Sequence, residues 1–315
     1  MVKDANTYNT FDAVNVPEQV LDKIYMIERE ESPIYSSAKK MKATTQSPEW
    51  QIQDLAAAAN NINEEGAEFA ETAVTPTTRV KNHCQILTKV CSITGSNQAV
   101  SHYGYKNEMA YQKELKMKEL KRDIERAIVQ NNASVATASG TAGEIGGIET
   151  WISTNASRGA GGSGTGYNSG TGLTTAPTDG TQRVFTEDLL LSVLQAGYDT
   201  GAKFTELHTG SFNKRKISGF NGNATRFSED RKRVSNTIEI YESDYGTLTC
   251  RINPRQRGRE AILYDMDKIG ILQLRAMETG KIAKTHDSNE EYILTELTTK
   301  VVEQGLGIVA DLTTS

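Results

Sequence analysis

Between Asn107 and Gln130 the sequence reads NEMAYQKELKMKELKRDIERAIVQ, and no other stretch restricts the fold as strongly. Met109, Ala110, Met117, Leu120, Ile124, Ala127 and Ile128 recur at three- and four-residue spacing, which predicts one long helix with a core-facing stripe. Asn107 is placed to cap its first turn, and Glu108 sits where the helix dipole favours an acid. The opposite side is charged, with Glu114 and Lys118 in the favourable i,i+4 order. Tyr111 and Leu115 interrupt that polar side and form a short second apolar strip. Two readings follow: an ordinary surface helix with two half-exposed apolar residues, or a helix wedged between its own core and a neighbouring molecule.

With 315 residues the chain exceeds the size at which one core keeps growing, so two lobes are expected. No run approaches the ~18 apolar residues of a membrane span. The first residues, MVKDANTYNTFDAV, lack the basic-then-apolar pattern of a signal peptide, so the chain is expected to be made and first kept in a cytoplasm. Three cysteines make no disulfide framework, and His83, His102, His208 and His286 show no zinc-type spacing. No metal or cofactor is expected. A net charge of -5 argues against a dedicated nucleic-acid binder, although Lys214-Arg215-Lys216 and Arg231-Lys232-Arg233 form local basic clusters.

Ahead of the long helix, PEQVLDKIYMIERE from Pro17 reads as a short helix ended by Ser32-Pro33. An extended stretch through Lys39, Lys40 and Lys42 follows, so the beginning reads as an arm. Trp50 and Ile52 alternate with polar residues as a short strand, and residues 56–78 lose all regular pattern. From Arg79 a single long strand is predicted, with Val80, Cys84, Ile86, Thr88 and Val90 on one face and Cys84 and Cys91 on opposite sides. The two strands bracket an irregular tip, an extended hairpin with little core of its own. That tip carries Glu64, Glu65, Glu68 and Glu71, and no lysine occurs between Ala43 and Val80. The asymmetry predicts docking on a basic patch of a neighbouring copy, with the two basic clusters as candidates.

After the helix, SRGAGGSGTGYNSGTG within Ala133–Gly180 has the composition of a flexible linker. It lacks the Gly-Lys-Ser/Thr of a phosphate-cradling loop. Thr186 is expected to cap the next helix, EDLLLSVLQAGYDTG, whose Leu190, Val193, Leu194 and Gly197 suit close packing. A hairpin is predicted at Thr237–Ile252, strands at 261–265 and 271–275, then a long terminal strand, a turn at Gln304-Gly305 and a last strand. Asp265 and Asp267 have carboxylates for a divalent cation, but polar residues ending a strand are the plainer reading. No nucleophile, base and oxyanion site assemble in the sequence, so no enzyme is expected. The sum is an α+β body with a projecting arm.

This order of elements resembles the major capsid proteins of tailed phages, which share the Hong Kong 97-like fold. The stretches that carry the resemblance are PEWQIQDL, EEGAEF, NHCQILTKVCSITGSNQAV, HYGYKNEMAYQKELKMKELKRDIERAI, IEIYESDYGTLT, REAILYDMDKIGILQLR, KIAKTHDSNEEYILTELT and GIVADL. They span nearly the whole chain, and their joint order matters more than any one of them. The resemblance implies an N-terminal arm over 1–46, an extended loop with its adjoining strand over 47–100, and the spine helix of a peripheral domain over 101–135. It implies a mainly axial domain over 136–285 with a glycine-rich insertion at 157–180, and terminal strands over 286–315 returning to the peripheral domain. It further implies hexamers and pentamers closing a shell around double-stranded DNA, bound without sequence reading, in a virion assembled in the host cytoplasm. Its implied partners are a separate scaffolding protein, a portal and a decoration protein, with no membrane. The loop has no lysine, so the lysine–asparagine cross-link of some family members is not expected. Residues proposed for contacts between copies are Glu64, Glu65, Glu68, Tyr111, Leu115, Lys214, Arg215, Lys216, Arg231, Lys232 and Arg233. The competing readings are an encapsulating nanocompartment or decoration subunit, and a soluble nucleotide-binding enzyme.

Overall fold

A computed structural model describes residues 31–66, 68, 74–102, 104–220, 239–284 and 286–314. The helix predicted from Pro17, together with Glu71 and Arg231–Arg233, lies outside the described residues. In chain order the elements begin with α1 (Pro33–Ser37), β1 (Lys39–Lys42), β2 (Glu49–Ile52), β3 (Thr78–Lys81), β4 (Gln85–Thr94) and α2 (Gly95–Ala99). The long helix α3 (Glu108–Val129) follows, then β5 (Ala156–Ser157), β6 (Tyr167–Asn168), β7 (Leu173–Thr174) and α4 (Glu187–Asp199). The second half contains β8 (Glu206–Thr209), α5 (Ser211–Ile217), β9 (Ile240–Ser243), β10 (Gly246–Ile252), β11 (Ala261–Tyr264), β12 (Ile269–Lys281), β13 (Ser288–Val301) and β14 (Leu306–Val309).

Helix α3 forms as its spacing predicts. The Asn107 side chain accepts the Ala110 N–H at its start, and Glu114 pairs with Lys118 at 3.1 Å. Leu120, Ile124 and Ile128 are fully buried, whereas Ala110, assigned to the same stripe, is exposed. The stripe packs on a four-stranded sheet of order β1-β12-β13-β4, where Ile271, Ile293 and Leu297 belong to the same core. Each such aliphatic side chain contributes about 1.5–3 kcal/mol of burial.

A six-stranded sheet of order β5-β14-β11-β8-β10-β9 forms the second layer. Its central strand β11 is buried along its whole length, because Ile262 and Tyr264 enter the core of α3 while Ala261 and Leu263 enter a second core with α4. That two-sided burial explains its unbroken apolar run. In α4, Gly197 allows contact with Phe204: a Cβ there would lie 2.1 Å from the ring. The two terminal strands divide between the sheets, β13 joining the four-stranded one and β14 pairing with β11 and β5.

Several expectations change. Ser32-Pro33 opens a short helix, with Pro33 at its favoured first position, instead of ending one. The single strand from Arg79 is two strands, broken at Asn82-His83-Cys84. Asn82 is fully buried, donates to the Thr299 carbonyl and hydroxyl, and accepts the His83 and Gly146 N–H groups. Its side chain thus takes over hydrogen bonding where the ladder stops. On β4 the covered face carries Cys91 and Ile93, while Ile86 and Val90 are about half exposed. Cys84 precedes β4, so the opposite-face expectation for the two cysteines lapses; both are buried.

Candidate functional site

The hairpin at the end of the arm has only four residue pairs, Glu49–Ile52 against Thr78–Lys81, with a Glu49–Arg79 ion pair at 3.3 Å. Trp50 anchors its base: the indole N–H donates to Val301 O at 3.0 Å, and the ring lies 5.9 Å from Trp151. Beyond that base the loop has no covering layer. Leu55 is 97 % exposed, Val74 90 % and Ile62 76 %. Glu64, Glu65 and Glu68 are exposed at the tip. Large apolar side chains grouped with acids on an extension without a core are the mark of a surface completed by another molecule.

The other predicted contact residues separate. Tyr111 is half buried because its ring stacks on Tyr105 at 4.7 Å, and Tyr105 stacks on His102 at 5.2 Å. The chain's own preceding loop therefore covers one side of Tyr111; Leu115 is also half buried. Lys214 does not belong to an exposed patch. It is buried on α5, with its ammonium donating to Cys250 O at 2.9 Å, and burial draws its pKa down. Arg215 and Lys216 flank the Phe212 ring at 5.2 and 5.3 Å, and Arg215 remains exposed.

A basic feature absent from the sequence reading lies at the start of α3. Lys106, Lys281 and Lys284, all exposed, line a cleft of about 500 Å³ that also contains Glu108, Glu290 and Glu291. Glu291 is held by Lys113 and Glu290 by His286. The lysines come from separate segments, so no run of charge announces them.

The glycine-rich stretch is not a free linker. Asp311, the one described non-glycine residue with positive φ (59°), accepts the Gly159 N–H at 2.9 Å and the Gly180 N–H at 2.7 Å. It also pairs with Arg259 at 2.8 Å. A Cβ at Gly159 would lie 2.2 Å from Thr181 O, so glycine is needed there for close approach rather than for looseness. Arg257 holds the same segment through Asp179 at 2.6 Å and reaches Glu149 at 2.8 Å and Glu260 at 2.7 Å. Asp265 accepts the Asp267 N–H as a cap and pairs with Lys268 at 3.6 Å, which accounts for its carboxylate, while Asp267 is exposed. Among the described residues no cluster of His, Cys, Asp and Glu has the form of a metal site, and no helix is long and apolar enough to cross a membrane.

A long helix across a four-stranded sheet, a second sheet behind it and an uncovered projecting hairpin define a shell-forming subunit of the Hong Kong 97-like class. The cyanophage A-1(L) capsid subunit has this fold, with a TM-score of 0.69 at 12% identity over 98% of this chain and 99% of that one. The SrpI encapsulin complex of Synechococcus elongatus PCC 7942 is also similar, with a TM-score of 0.53 at 7% identity over 90% and 89%. A family model described as "SU10 major capsid protein" matches residues 3–313, and the chain belongs to that family, one of structural proteins and not of enzymes. The major capsid protein of Escherichia phage Phieco32 is 31% identical over 111 residues, a match that spans 35% of this chain and 32% of that relative.

Proposed function

We propose that copies of this chain join into hexamers and pentamers that close the head shell of a tailed double-stranded DNA phage. The observation that carries this reading is the hairpin arm, whose Leu55, Ile62 and Val74 stand in solvent. In the proposed arrangement 1–46 and 47–100 are the reaching segments, 101–135 the spine, and 136–285 mainly the axial lobe, with β13 closing the peripheral sheet. Scaffolding, portal and decoration proteins are the further partners, and assembly takes place in the host cytoplasm. The inner wall tolerates DNA without reading its sequence. Many individually weak contacts suffice, because a closed lattice engages them together.

In this reading Glu64, Glu65 and Glu68 meet cations of an adjacent copy. Arg215 with Lys216, and the cleft of Lys106, Lys281 and Lys284, are the described basic surfaces that fit. Light scattering and negative-stain microscopy of the purified protein, with scaffold co-expressed, test the class: shells or capsomer rings are expected. A chain that stays monomeric with scaffold present refutes it. Glu64→Lys, Glu65→Lys and Glu68→Lys together should impair assembly and leave the monomer's melting temperature unchanged; wild-type particle yield refutes the charge pairing. The encapsulin likeness supports a second reading, a protein-filled compartment, which nucleic-acid content of the particles distinguishes.

A further inference from the structure

Strand β10 ends beside an uncovered groove made of two hollows that share Ile252. The first, about 570 Å³, is walled by Pro33 and Ser36 of α1 and by Cys250 and Ile252. The second, about 430 Å³, continues past Pro254 to Phe212 of α5 and to Thr314. Ile252, at the junction, is 37% exposed. In the second hollow Gln256 is buried, yet neither of its amide atoms has a hydrogen bond among the described residues. An unpaired carboxamide is costly and offers one donor group and one acceptor side by side. A peptide group complements both, which favours a polypeptide over an apolar small molecule as the occupant.

The chain delivers such a segment to this place. The described residues begin at Glu31, which lines the first hollow. Directly before it stands PEQVLDKIYMIERE, where Val20, Ile24 and Ile27 recur at helical spacing. Ile27 is four residues from Glu31 and so lies within about 14 Å of it, which leaves no long linker between stripe and groove. A helix over 17–30 is roughly 21 Å long, and the groove runs roughly 13 Å from Cys250 to Pro254 before continuing to Thr314. The charges agree with that direction. In the first hollow Glu31 and Glu239 stand with Lys214 and Arg251, and Arg251 is already met by Glu206; Arg29 suits this end. Arg215 and Lys216 flank Phe212 in the second, where Glu18 and Asp22 would lie.

We infer that in the unassembled chain residues 17–30 dock in this groove of their own body as an amphipathic helix, with Val20, Ile24 and Ile27 against Ile252 and Phe212. Docking removes both apolar surfaces from water at once. The leading segment is thereby stored on its own subunit, and another copy gains access to it only by drawing it out.

Disulfide trapping on the full-length unassembled chain tests this. Ile252→Cys is combined in turn with Val20→Cys, Ile24→Cys and Ile27→Cys, and with Asp22→Cys and Arg29→Cys from the opposite side of the helix. A Cys250→Ala background removes the native thiol from the groove. A bridge needs Cβ atoms about 4 Å apart, so under mild oxidation the apolar positions should link about tenfold faster than Asp22 and Arg29. Peptide mass mapping locates the link, and a non-reducing gel shows whether it lies within one chain. Equal rates at all five positions mean a tethered but undocked segment and overturn the inference. Links found only between chains also overturn it, since the groove then takes the segment of a second copy, and so does the absence of any link. Should Ile252→Cys fail to fold, Thr314→Cys, exposed at the other end of the groove, takes its place. The readout is made on single chains, so it is independent of the proposed shell function.

Discussion

Glu125 offers the sharpest perturbation. It lies fully buried on α3, and its carboxylate accepts the Ile34 N–H at 3.1 Å, the Tyr35 N–H at 2.8 Å and the Asn253 amide at 2.6 Å. Ser32 provides no side-chain cap for α1, so Glu125 satisfies that helix's first turn from 90 residues away. Glu125→Leu fits the volume and leaves three buried donors unpartnered, each at about 1–3 kcal/mol. The added apolar burial and the removed carboxylate desolvation offset part of this, so a net loss of about 3–5 kcal/mol is expected. For 315 residues, with unfolding entropy of about 2 cal/mol/K per residue, that corresponds to a fall of roughly 4–8 °C in melting temperature. The assay is calorimetry of the unassembled chain together with limited proteolysis, where cleavage around residues 31–38 should rise first. Glu125→Gln, which keeps one acceptor oxygen, should lose clearly less. A Leu variant that melts within 1 °C of wild type, with the arm equally protected, would refute the account of Glu125 as the tie between arm and spine.

Two further outcomes follow from the close packing after α3 and at the insert. At Gly147→Ala the new Cβ would lie 1.7 Å from Gln130 O, so backbone must move; a loss of about 3 kcal/mol or more should appear as reduced soluble yield and a lower melting temperature. Burial raises the Asp311 carboxyl, but the Gly159 and Gly180 N–H groups and Arg259 outweigh it and hold its pKa below 3.8. Its contribution is therefore present above that unfolded value and lost as pH falls through the folded one. Asp311→Asn should cost about 1.5–3 kcal/mol at neutral pH, and the gap should close on acid titration.

How much of this was legible depends on whether a residue's partner is local. Helix α3 follows from its own spacing and cap, and the Ser243–Gly246 hairpin from its turn residues. The break at Asn82 does not, because its partners, Thr299 and Gly146, are brought near only by the fold. On β4 both faces carry apolar residues, so alternation alone could not select Cys91 and Ile93 over Ile86 and Val90; the covering helix does. Lys214 looked like surface because its neighbours are cations, yet the acceptor it needs is a backbone carbonyl on β10. Composition likewise described the glycines of the insert without the carboxylate of Asp311 that orders them. The exposed arm was visible from lost periodicity and charge bias, whereas Glu149, Asp179 and Glu260, the acids that meet Arg257, are brought together only by the fold.

The strand order β1-β12-β13-β4 carries a consequence for synthesis. Lys39 pairs with Gly270, and the Trp50 indole with the carbonyl of Val301, 251 residues further along. The ribosome must therefore complete most of the chain before the sheet under α3 can close. Such distant pairing slows folding. It also sets a clock: an interrupted nascent chain ending before Ser288 lacks the strand between β12 and β4, and presents no finished spine to another copy. In the proposed shell, topology alone would keep unfinished chains out of the lattice.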